Sequence, residues 1–213
     1  SNEDDDLDAV IYLNLENRPD RKALIIEELE SANIDPKKVH KISSVYIPKN
    51  GHKGCVQSHI MALELASLNG WNRVLILEDD ATISDPILFK MRLRTLLKTL
   101  DEKKWDVLLL GACVKEYDEE YAPVNVDGNS IQKVNAATCS HAYIINGQRY
   151  RDKLLSLFKD CNNNMSPEMM NQVNHEPHAL DQRWKDFQRK DKWFCLENDI
   201  VSQRNIWSTT QNN

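Results

Sequence analysis

Three consecutive carboxylates, Glu78, Asp79 and Asp80, stand directly after an apolar run of strand length, residues 74–77. A buried strand that ends in acidic residues places their charges at the carboxyl edge of a sheet, where open α/β sheets bind ligands. Carboxylates this close together raise one another's pKa unless a cation lies among them. A Mg²⁺ or Mn²⁺ ion takes one or two carboxylates and completes its shell with phosphate and water oxygens. The pattern therefore predicts a metal–nucleotide site.

Length and composition are those of one folded α/β domain. The chain has 213 residues, of which 41% are hydrophobic and 28% are charged, and it is short for two domains. We expect residues 1–8 to form a disordered acidic tail and residues 9–213 to form a single domain. The formal net charge is −6, and no block of Lys and Arg stands out. Nucleic acid is therefore not an expected partner.

Hydropathy and cysteine usage bear on the compartment. No apolar stretch approaches the length of a membrane span, and no charged-then-apolar leader opens the sequence. The five cysteines are odd in number and widely spaced, and they include no CxxC pair. Neither a disulfide framework nor a structural zinc site is predicted. We expect no membrane span in this chain, and the pattern favours the cytoplasm without fixing the compartment.

The elements that must hold the carboxylates alternate between strands and helices. Strand patterns cover residues 9–15, 39–47, 73–77, 105–111, 136–146 and 193–196, and residues 121–135 form a hairpin around Asp127 and Gly128. Helical spacing, with Asn17 capping the first helix, covers residues 17–33, 54–69, 85–100, 148–158 and 179–188. Residues 161–177 are polar and predict a mobile loop. The alternation in the first half favours a mostly parallel sheet with covering helices.

Several short motifs then occur in a recognisable order. Asn14, Arg18, Pro19, Asp20 and Arg21 follow the first strand, Gly54, Cys55, Ser58 and His59 lie in the next helix, and residues 74–81 end in the carboxylates. Residues 105–111, 140–146 and 178–181 supply further matches. The succession resembles glycosyltransferase family 25, the group of bacterial lipooligosaccharide galactosyltransferases and collagen galactosyltransferase-like enzymes. The likeness covers most of the chain, strongly over residues 10–81 and weakly after residue 145.

The resemblance implies a GT-A type, Rossmann-like mixed α/β sheet with helices on both faces. It also implies a UDP-sugar donor, such as UDP-galactose or UDP-glucose, whose diphosphate is bridged by Mn²⁺ or Mg²⁺. The hexose would pass, with inversion, to a hydroxyl of a glycan or of a hydroxylated protein. The ion stabilises the charge that develops on the leaving diphosphate. Asp80 and Glu78 are the expected metal ligands, and Asp181 is the expected base for the acceptor proton.

The expected donor contacts come from residues near the first strand, the second helix and the carboxylates: Asn14, Leu15, Arg18, Arg21, Ser58, His59, Glu78 and Asp79. Arg18 and Arg21 would bind uridine or diphosphate, or else be solvated arginines of a first helical turn. Ser58 and His59 lie near a helix amino end, which attracts anions. His59 could equally be a hydrogen-bonded core histidine.

Other histidines and an aromatic residue also offer alternatives. A transition-metal site formed by His52, Cys55 and His59 is disfavoured because no fourth ligand stands nearby. Tyr143 is expected to pack in the core, and His141 on the same strand face is a less favoured second metal ligand. His175 and His178 belong to the predicted loop, where they would either close over the donor or remain ordinary polar residues.

Two other classes of protein stay open. The family pattern Gly-Glu-x-Gly-Cys has His52 in place of its carboxylate here, which is compatible with a catalytically inactive relative that acts as a glycan- or protein-binding module. A nucleotidyltransferase would use the same carboxylates but needs a glycine-rich loop after the first strand to hold a triphosphate. Residues 16–21 contain no glycine, so this alternative ranks last.

Overall fold

The computed structural model of the protein describes residues 6–168 and 176–204. Its strands are β1 Ala9–Asn14, β2 Val39–Ser43, β3 Arg73–Glu78, β4 Ala81–Ile83, β5 Val107–Leu109, β6 Lys115–Tyr117, β7 Val124–Val126, β8 Asn129–Ala137, β9 Ala142–Asn146, β10 Trp193–Leu196 and β11 Val201–Gln203. Its helices are α1 Pro19–Ser31, α2 Gly51–Leu68, α3 Pro86–Asp101, α4 Gln148–Asn163, α5 Leu180–Arg183 and α6 Lys185–Lys190. Short 3₁₀ turns cover Pro36–Lys38 and Glu176–His178.

One large mixed sheet organises the chain. Its strand order is β2-β1-β3-β9-β5-β10-β8-β6, and β7 pairs with β8. Strands β1, β2 and β3 run parallel, as the alternation of elements predicted, whereas β9 runs antiparallel between β3 and β5. Leu13 lies opposite Glu78 in the β1–β3 pair, so the two strands end at the same edge of the sheet. That edge carries the carboxylates.

The sheet is buried on both faces, which confirms the expected α/β class with helices on either side. Ile11 and Leu13 belong to a core cluster with α2 and α4. Val10 and Tyr12 point the other way and belong to a second cluster with α1 and α3. Alternate side chains of a strand face opposite sides, so one strand contributes to both cores.

Several helix boundaries differ from the sequence prediction. Helix α1 begins at Pro19, and its preceding residue, Arg18, makes no side-chain capping bond, so Asn17 is not the cap. Helix α2 begins at Gly51, earlier than expected, because the Asn50 side chain accepts a hydrogen bond from the Lys53 N–H. Satisfying an otherwise unpaired N–H in this way lets a helix start at that position.

The predicted strand over residues 136–146 is in fact two strands. Strand β8 ends at Ala137 and β9 begins at Ala142, and Cys139 between them has a φ of 71°. A left-handed backbone of this kind breaks a strand. The predicted helix over residues 179–188 is likewise divided at Trp184 into α5 and α6. Strand β11, which the sequence did not predict, pairs antiparallel with β4 in a separate two-stranded ribbon.

Parts of the predicted tail and of the predicted loop belong to the folded domain. Leu7 is only 2% exposed, and Asp8 accepts hydrogen bonds from the N–H groups of Asn72 and Arg73, so both belong to the folded domain. Residues 1–5 of the predicted tail lie outside the described residues. Helix α4 continues to Asn163 and takes in the start of the predicted loop, of which residues 169–175 lie outside the described part.

Cysteine pairing also differs from the prediction. Cys113 and Cys139 form a disulfide with their Cα atoms 5.6 Å apart. Cys113 precedes β6 and Cys139 follows β8, and the antiparallel pairing that sets Lys115 opposite Ala137 brings them together, so spacing along the chain gives no signal for the pair. Cys55, Cys161 and Cys195 keep free thiols. None of the helices in the described ranges is long and apolar enough to cross a membrane.

Replacing Gly111 by alanine should destabilise the fold. A Cβ at this position would overlap the Val201 carbonyl oxygen and the His141 ring, both of which are buried. Overpacking of this kind costs about 1–3 kcal/mol of unfolding free energy. Denaturant unfolding of Gly111→Ala should show that loss, whereas Leu68→Ala, at a site 84% exposed, should stay within about 0.5 kcal/mol of the wild type. Equal stability of Gly111→Ala and wild type would contradict the close contact.

Candidate active site

Glu78 ends β3 and faces helix α2. Its Oε1 lies 3.1 Å from His59 Nε2 and accepts a hydrogen bond from the Ser140 hydroxyl at 2.7 Å, and Cys55 Sγ lies 3.8 Å from the same oxygen. Burial raises the pKa of Glu78, but the hydrogen bonds from His59 and Ser140 outweigh burial, and the net shift is downward. Glu78 is therefore an ionised carboxylate fixed by α2 and by the loop before β9.

Asp79 faces the opposite side of the sheet, towards α1. Asn14 donates its side-chain N–H to Asp79 Oδ2 at 2.8 Å, and Arg21 Nη1 lies 3.4 Å from Oδ1. Burial raises the pKa of Asp79, and the contacts with Asn14 and Arg21 only partly oppose it. Two of the predicted donor residues, Asn14 and Arg21, are thus brought directly to the carboxylates.

Asp80 is the least compensated of the three carboxylates. Within the part of the chain that the structure describes, its buried Oδ1 has no hydrogen-bond partner, although its backbone oxygen accepts a bond from the Arg204 N–H at 2.7 Å. Burial, together with the charges of Glu78 and Asp79, raises the pKa of Asp80 to about 7. A buried carboxylate oxygen that lacks a partner is costly, and a bound cation would relieve that cost. The side chain thus fits the role of a metal ligand.

Asp181 lies in the first turn of α5 and is linked to the same region. Its Oδ2 accepts a hydrogen bond from the Cys139 N–H at 2.9 Å, and the next residue, Ser140, is the one that binds Glu78. Burial and the negative charges of Glu78 and Asp181 raise the pKa of the Cys55 thiol well above its usual value. Glu78 and Asp181 are far apart in the chain, but both therefore contact the short loop between β8 and β9.

Arg18 and Leu15 lie at the turn between β1 and α1. Arg18 forms a two-point ion pair with Asp20, with nitrogen–oxygen distances of 3.0 and 2.8 Å. The Arg18 backbone N–H donates to the Leu15 oxygen, and Asn14 also donates to the Arg18 carbonyl. This turn therefore lies beside Asp79. The Arg18 side chain is partly exposed to solvent and is paired with the Asp20 carboxylate.

Ser58 has both of its hydrogen-bonding functions engaged inside the protein. Its hydroxyl donates to the Gly54 carbonyl at 2.8 Å and accepts from the Val45 N–H at 2.9 Å. It is buried, and it joins α2 to the segment after β2. The structure thus gives Ser58 a packing role in place of an exposed anion contact.

His59 is fully buried and hydrogen-bonded, which matches the core-histidine interpretation. Its Nδ1 lies 2.6 Å from the hydroxyl of Tyr143, which is itself fully buried as predicted. His59 lies in a group with Cys55 and Glu78. Glu78 therefore takes the third position that His52 had in the disfavoured transition-metal site.

Of the other histidines, His141 is also buried, and its Nε2 lies 3.0 Å from the Val201 carbonyl oxygen. It therefore binds strand β11 through that nitrogen. His178 lies in the turn before α5 and has a buried Nδ1 without a hydrogen-bond partner. His175 lies outside the described residues.

Residues that fix the site from a distance could not be identified from the sequence. Ser140 lies in the matched residues 140–146 but was assigned no role, because its contact with Glu78 depends on the antiparallel pairing of β3 with β9. Glu28 accepts hydrogen bonds from the Ile83 N–H and from Arg204 at 2.9 and 2.6 Å. Partners so far apart along the chain leave no signal in local spacing.

Comparison with protein-family models gives one match. The model of glycosyltransferase family 25, described as an LPS biosynthesis protein, matches residues 35–170, which include α2, the carboxylates and β9. No protein with a curated description matches the sequence.

Comparison with solved structures gives distant similarities. A protein described as a mannose-1-phosphate geranyltransferase from Thermus thermophilus has a TM-score of 0.49 and 12% identity, over 96% of this chain and 76% of that one. A glycosyltransferase involved in glycosylation of the major capsid of PBCV-1 has a TM-score of 0.42 and 11% identity, over 95% of each chain. A197 from STIV has a TM-score of 0.45 and 10% identity, over 94% of this chain and 87% of that one. At these values the similarities carry no argument about activity.

Asp80→Asn should stabilise the metal-free protein, and more so at high pH. The folded-state pKa of Asp80 is about 7, whereas an unfolded aspartate ionises near its usual value of about 4. As the pH rises from 4 to 7 the unfolded chain loses this proton first, so the wild type becomes less stable relative to the asparagine variant. In chelator, the melting temperature of Asp80→Asn should exceed that of wild type by several degrees at pH 8, because about 1 kcal/mol corresponds to roughly 2–4 °C in a domain of this size.

The difference between the two melting temperatures should shrink as the pH is lowered towards 4. Asp186→Asn is the matched control, because that carboxylate is 68% exposed and pairs with Arg189 on the surface. A wild-type protein that is more stable than Asp80→Asn at pH 8 without metal would contradict the unpaired state of Asp80.

Proposed function

This chain belongs to glycosyltransferase family 25, and from that premise we propose that it transfers a hexose from a UDP-sugar to an acceptor hydroxyl with the help of Mn²⁺ or Mg²⁺. The hexose is galactose, or alternatively glucose, and the domain is of the GT-A type. The observation that carries the metal part of the proposal is the buried, unpartnered Oδ1 of Asp80 beside two further carboxylates.

Charge balance supports a cation at this point. The three consecutive acidic residues Glu78, Asp79 and Asp80 share the Arg21 guanidinium, which lies 3.4 Å from Asp79 and also lowers the pKa of Asp80. The negative charges of Glu78 and Asp79 also contribute to the raised pKa of Asp80. In our proposal Asp80 binds the ion through Oδ1. Glu78 is already engaged through Oε1, and its other oxygen, Oε2, completes the metal shell or contacts the ribose.

The ion, when bound, stabilises the negative charge of the departing diphosphate. The protein's own side chains act around it. Arg18, at the turn after β1, is proposed to exchange its surface partner Asp20 for the donor diphosphate or uridine, since a guanidinium forms two-point contacts with phosphate as it does with carboxylate. Asn14 and Arg21 position Asp79 and thereby the end of β3, and Leu15 lines the same turn.

Asp181 is proposed to accept the proton of the attacking acceptor hydroxyl. A single inverting displacement needs such a base. The Cys139 N–H holds one carboxylate oxygen of Asp181 and orients the other. The loop that supplies this N–H also supplies Ser140, so the position of Asp181 is tied to that of Glu78.

The acceptor is proposed to be a glycan or a hydroxylated protein. The Cys113–Cys139 disulfide favours an oxidising compartment over the cytoplasm that the sequence favoured, because such bonds persist mainly outside reducing compartments.

The first test of the proposal is release of UDP from UDP-galactose and UDP-glucose by the wild type in the presence of Mn²⁺. Asp80→Asn should lower the rate by roughly 10²–10³, the usual effect of removing one preorganised electrostatic contact. Asp152→Asn, at a site 62% exposed, is the matched control and should retain full activity. Equal turnover by Asp80→Asn and wild type would remove the assigned metal role. A folded wild type that binds glycans but neither hydrolyses nor transfers any hexose would instead favour the inactive binding module.

The second test separates the base from donor binding. Asp181→Asn keeps an oxygen that can accept the Cys139 N–H but cannot take up a proton, so kcat should fall by roughly 10²–10⁴. The KM for the UDP-sugar and the calorimetric affinity for UDP with Mn²⁺ should stay at wild-type values. Weakened UDP binding with an unchanged kcat would show that Asp181 contacts the donor and is not the base.

A further inference from the structure

Behind the carboxylate edge, three side chains of different chemistry converge. Cys55 and His59 lie one helical turn apart on α2, and Glu78 reaches them from the end of β3. The Cys55 Sγ, His59 Nε2 and Glu78 Oε1 atoms all lie within 4.8 Å of one another. Within residues 6–168 and 176–204 this is the group of acidic, cysteine and histidine side chains whose spacing suits a shared ion.

We propose that Cys55, His59 and Glu78 bind a Zn²⁺ ion at a position distinct from that of the ion at Asp80. Glu78 is the one residue that both proposals use, through Oε1 here and through Oε2 there. Zinc ligands at about 2.0–2.3 Å in a tetrahedral shell stand roughly 3.2–3.6 Å from one another. The distances in the protein are 3.1 Å from His59 Nε2 to Glu78 Oε1 and 3.8 Å from Cys55 Sγ to the same oxygen. Small side-chain adjustments bring all three atoms to one ion.

The types of ligand distinguish this site from the oxygen-lined site at Asp80. Thiolate and imidazole ligands select zinc and similar ions, whereas Mg²⁺ and Mn²⁺ prefer carboxylate, phosphate and water oxygens. Cys55 as a thiolate and Glu78 as a carboxylate balance the two charges of Zn²⁺. The ion together with its protein ligands therefore carries no formal net charge, which favours its binding at a buried site.

The surroundings of His59 are those of a metal-binding imidazole. Tyr143 OH lies 2.6 Å from His59 Nδ1, and both side chains are fully buried. With the proton on Nδ1 donated to the Tyr143 oxygen, Nε2 presents its lone pair to Cys55 and Glu78. A second hydrogen bond of this kind fixes the tautomer and the orientation of histidine ligands in metal sites.

A fourth ligand and a route for the ion are also at hand. A water molecule can complete the tetrahedral shell, as in zinc sites with three protein ligands. The Ser140 hydroxyl, which donates to Glu78 Oε1 at 2.7 Å, orients that carboxylate. The Cys55 side chain is partly buried and that of Glu78 is 24% exposed, which leaves access from the carboxylate edge. The bound ion would anchor the end of β3 to α2, two residues before Asp80. This role does not depend on the transferase activity.

The test uses the full chain, freed of metal by chelation and then titrated with Co²⁺ and Zn²⁺. The folded wild type should bind one Co²⁺ per chain with the near-ultraviolet charge-transfer band of a thiolate ligand, and Zn²⁺ should displace it. Cys55→Ser should lose the band and bind Zn²⁺ at least roughly 100-fold more weakly. Cys161→Ser removes another buried thiol outside the group and should keep both properties.

Two further variants separate this site from its neighbours. Asp80→Asn should retain the cobalt band and zinc affinity even where it abolishes Mn²⁺-dependent transfer, so the two metal proposals can fail independently. Tyr143→Phe, which keeps the ring and removes the hydroxyl bonded to His59, should weaken Zn²⁺ binding roughly 10–100-fold. Circular dichroism establishes that each variant is folded. Absence of a thiolate band in the folded wild type, or its persistence in Cys55→Ser, would overturn the proposal.

Discussion

Repulsion among three adjacent carboxylates is the constraint around which this end of the sheet is built. The strand alternation turns Glu78 towards α2 and Asp79 towards α1, so each receives its own hydrogen-bond donors from a different layer of the protein. Asp80 comes after the strand and, among the described residues, has no such donor at Oδ1. The protein compensates two of the three charges with its own donors, and the third is buried with one oxygen unpaired, which makes its ionised form costly.

Each layer of the fold contributes to that compensation. Helix α1 brings Arg21, helix α2 brings His59, and the loop between β8 and β9 brings Ser140. The same loop holds Asp181 through the Cys139 backbone and is tied to the end of β5 by the disulfide. A stable site of this kind needs supporting contacts around the reacting groups. In this protein the supporting contacts come from three separate parts of the chain: α1, α2 and the loop between β8 and β9.

What the sequence could predict follows the range of the interactions. The strand that ends in carboxylates, the helices on both faces and the hairpin at Asp127 and Gly128 depend on local periodicity and turn chemistry, and these predictions are confirmed. The break between β8 and β9 was not predicted although Thr138, Ser140 and His141 interrupt the apolar pattern there, because the left-handed backbone of Cys139 is stabilised by tertiary partners. The same applies to β11, which exists as a strand only because β4 lies beside it.

The candidate site divides in the same way. Asn14, Arg21 and Asp79 were assigned together and do lie together, because short segments next to parallel strand ends meet at one edge. Ser58 and His59 were placed correctly on the helix, but their partners could not be predicted, since those partners lie on β9, in the segment after β2 and at the end of β3. A sequence identifies chemistry-bearing residues more readily than it identifies the residues that occupy their hydrogen bonds.

The ribbon of β4 and β11 has a consequence for biosynthesis. Residues 81–83, which leave Asp80, are paired with residues 201–203, and the Arg204 N–H holds the Asp80 carbonyl. A nascent chain on the ribosome can form β1, β2 and β3 early, but the acidic edge stays open until residue 204 has emerged. Such a long-range closure is slow, so the backbone groups of residues 81–83 and the Asp80 carbonyl would stay without these partners while the intervening residues are made.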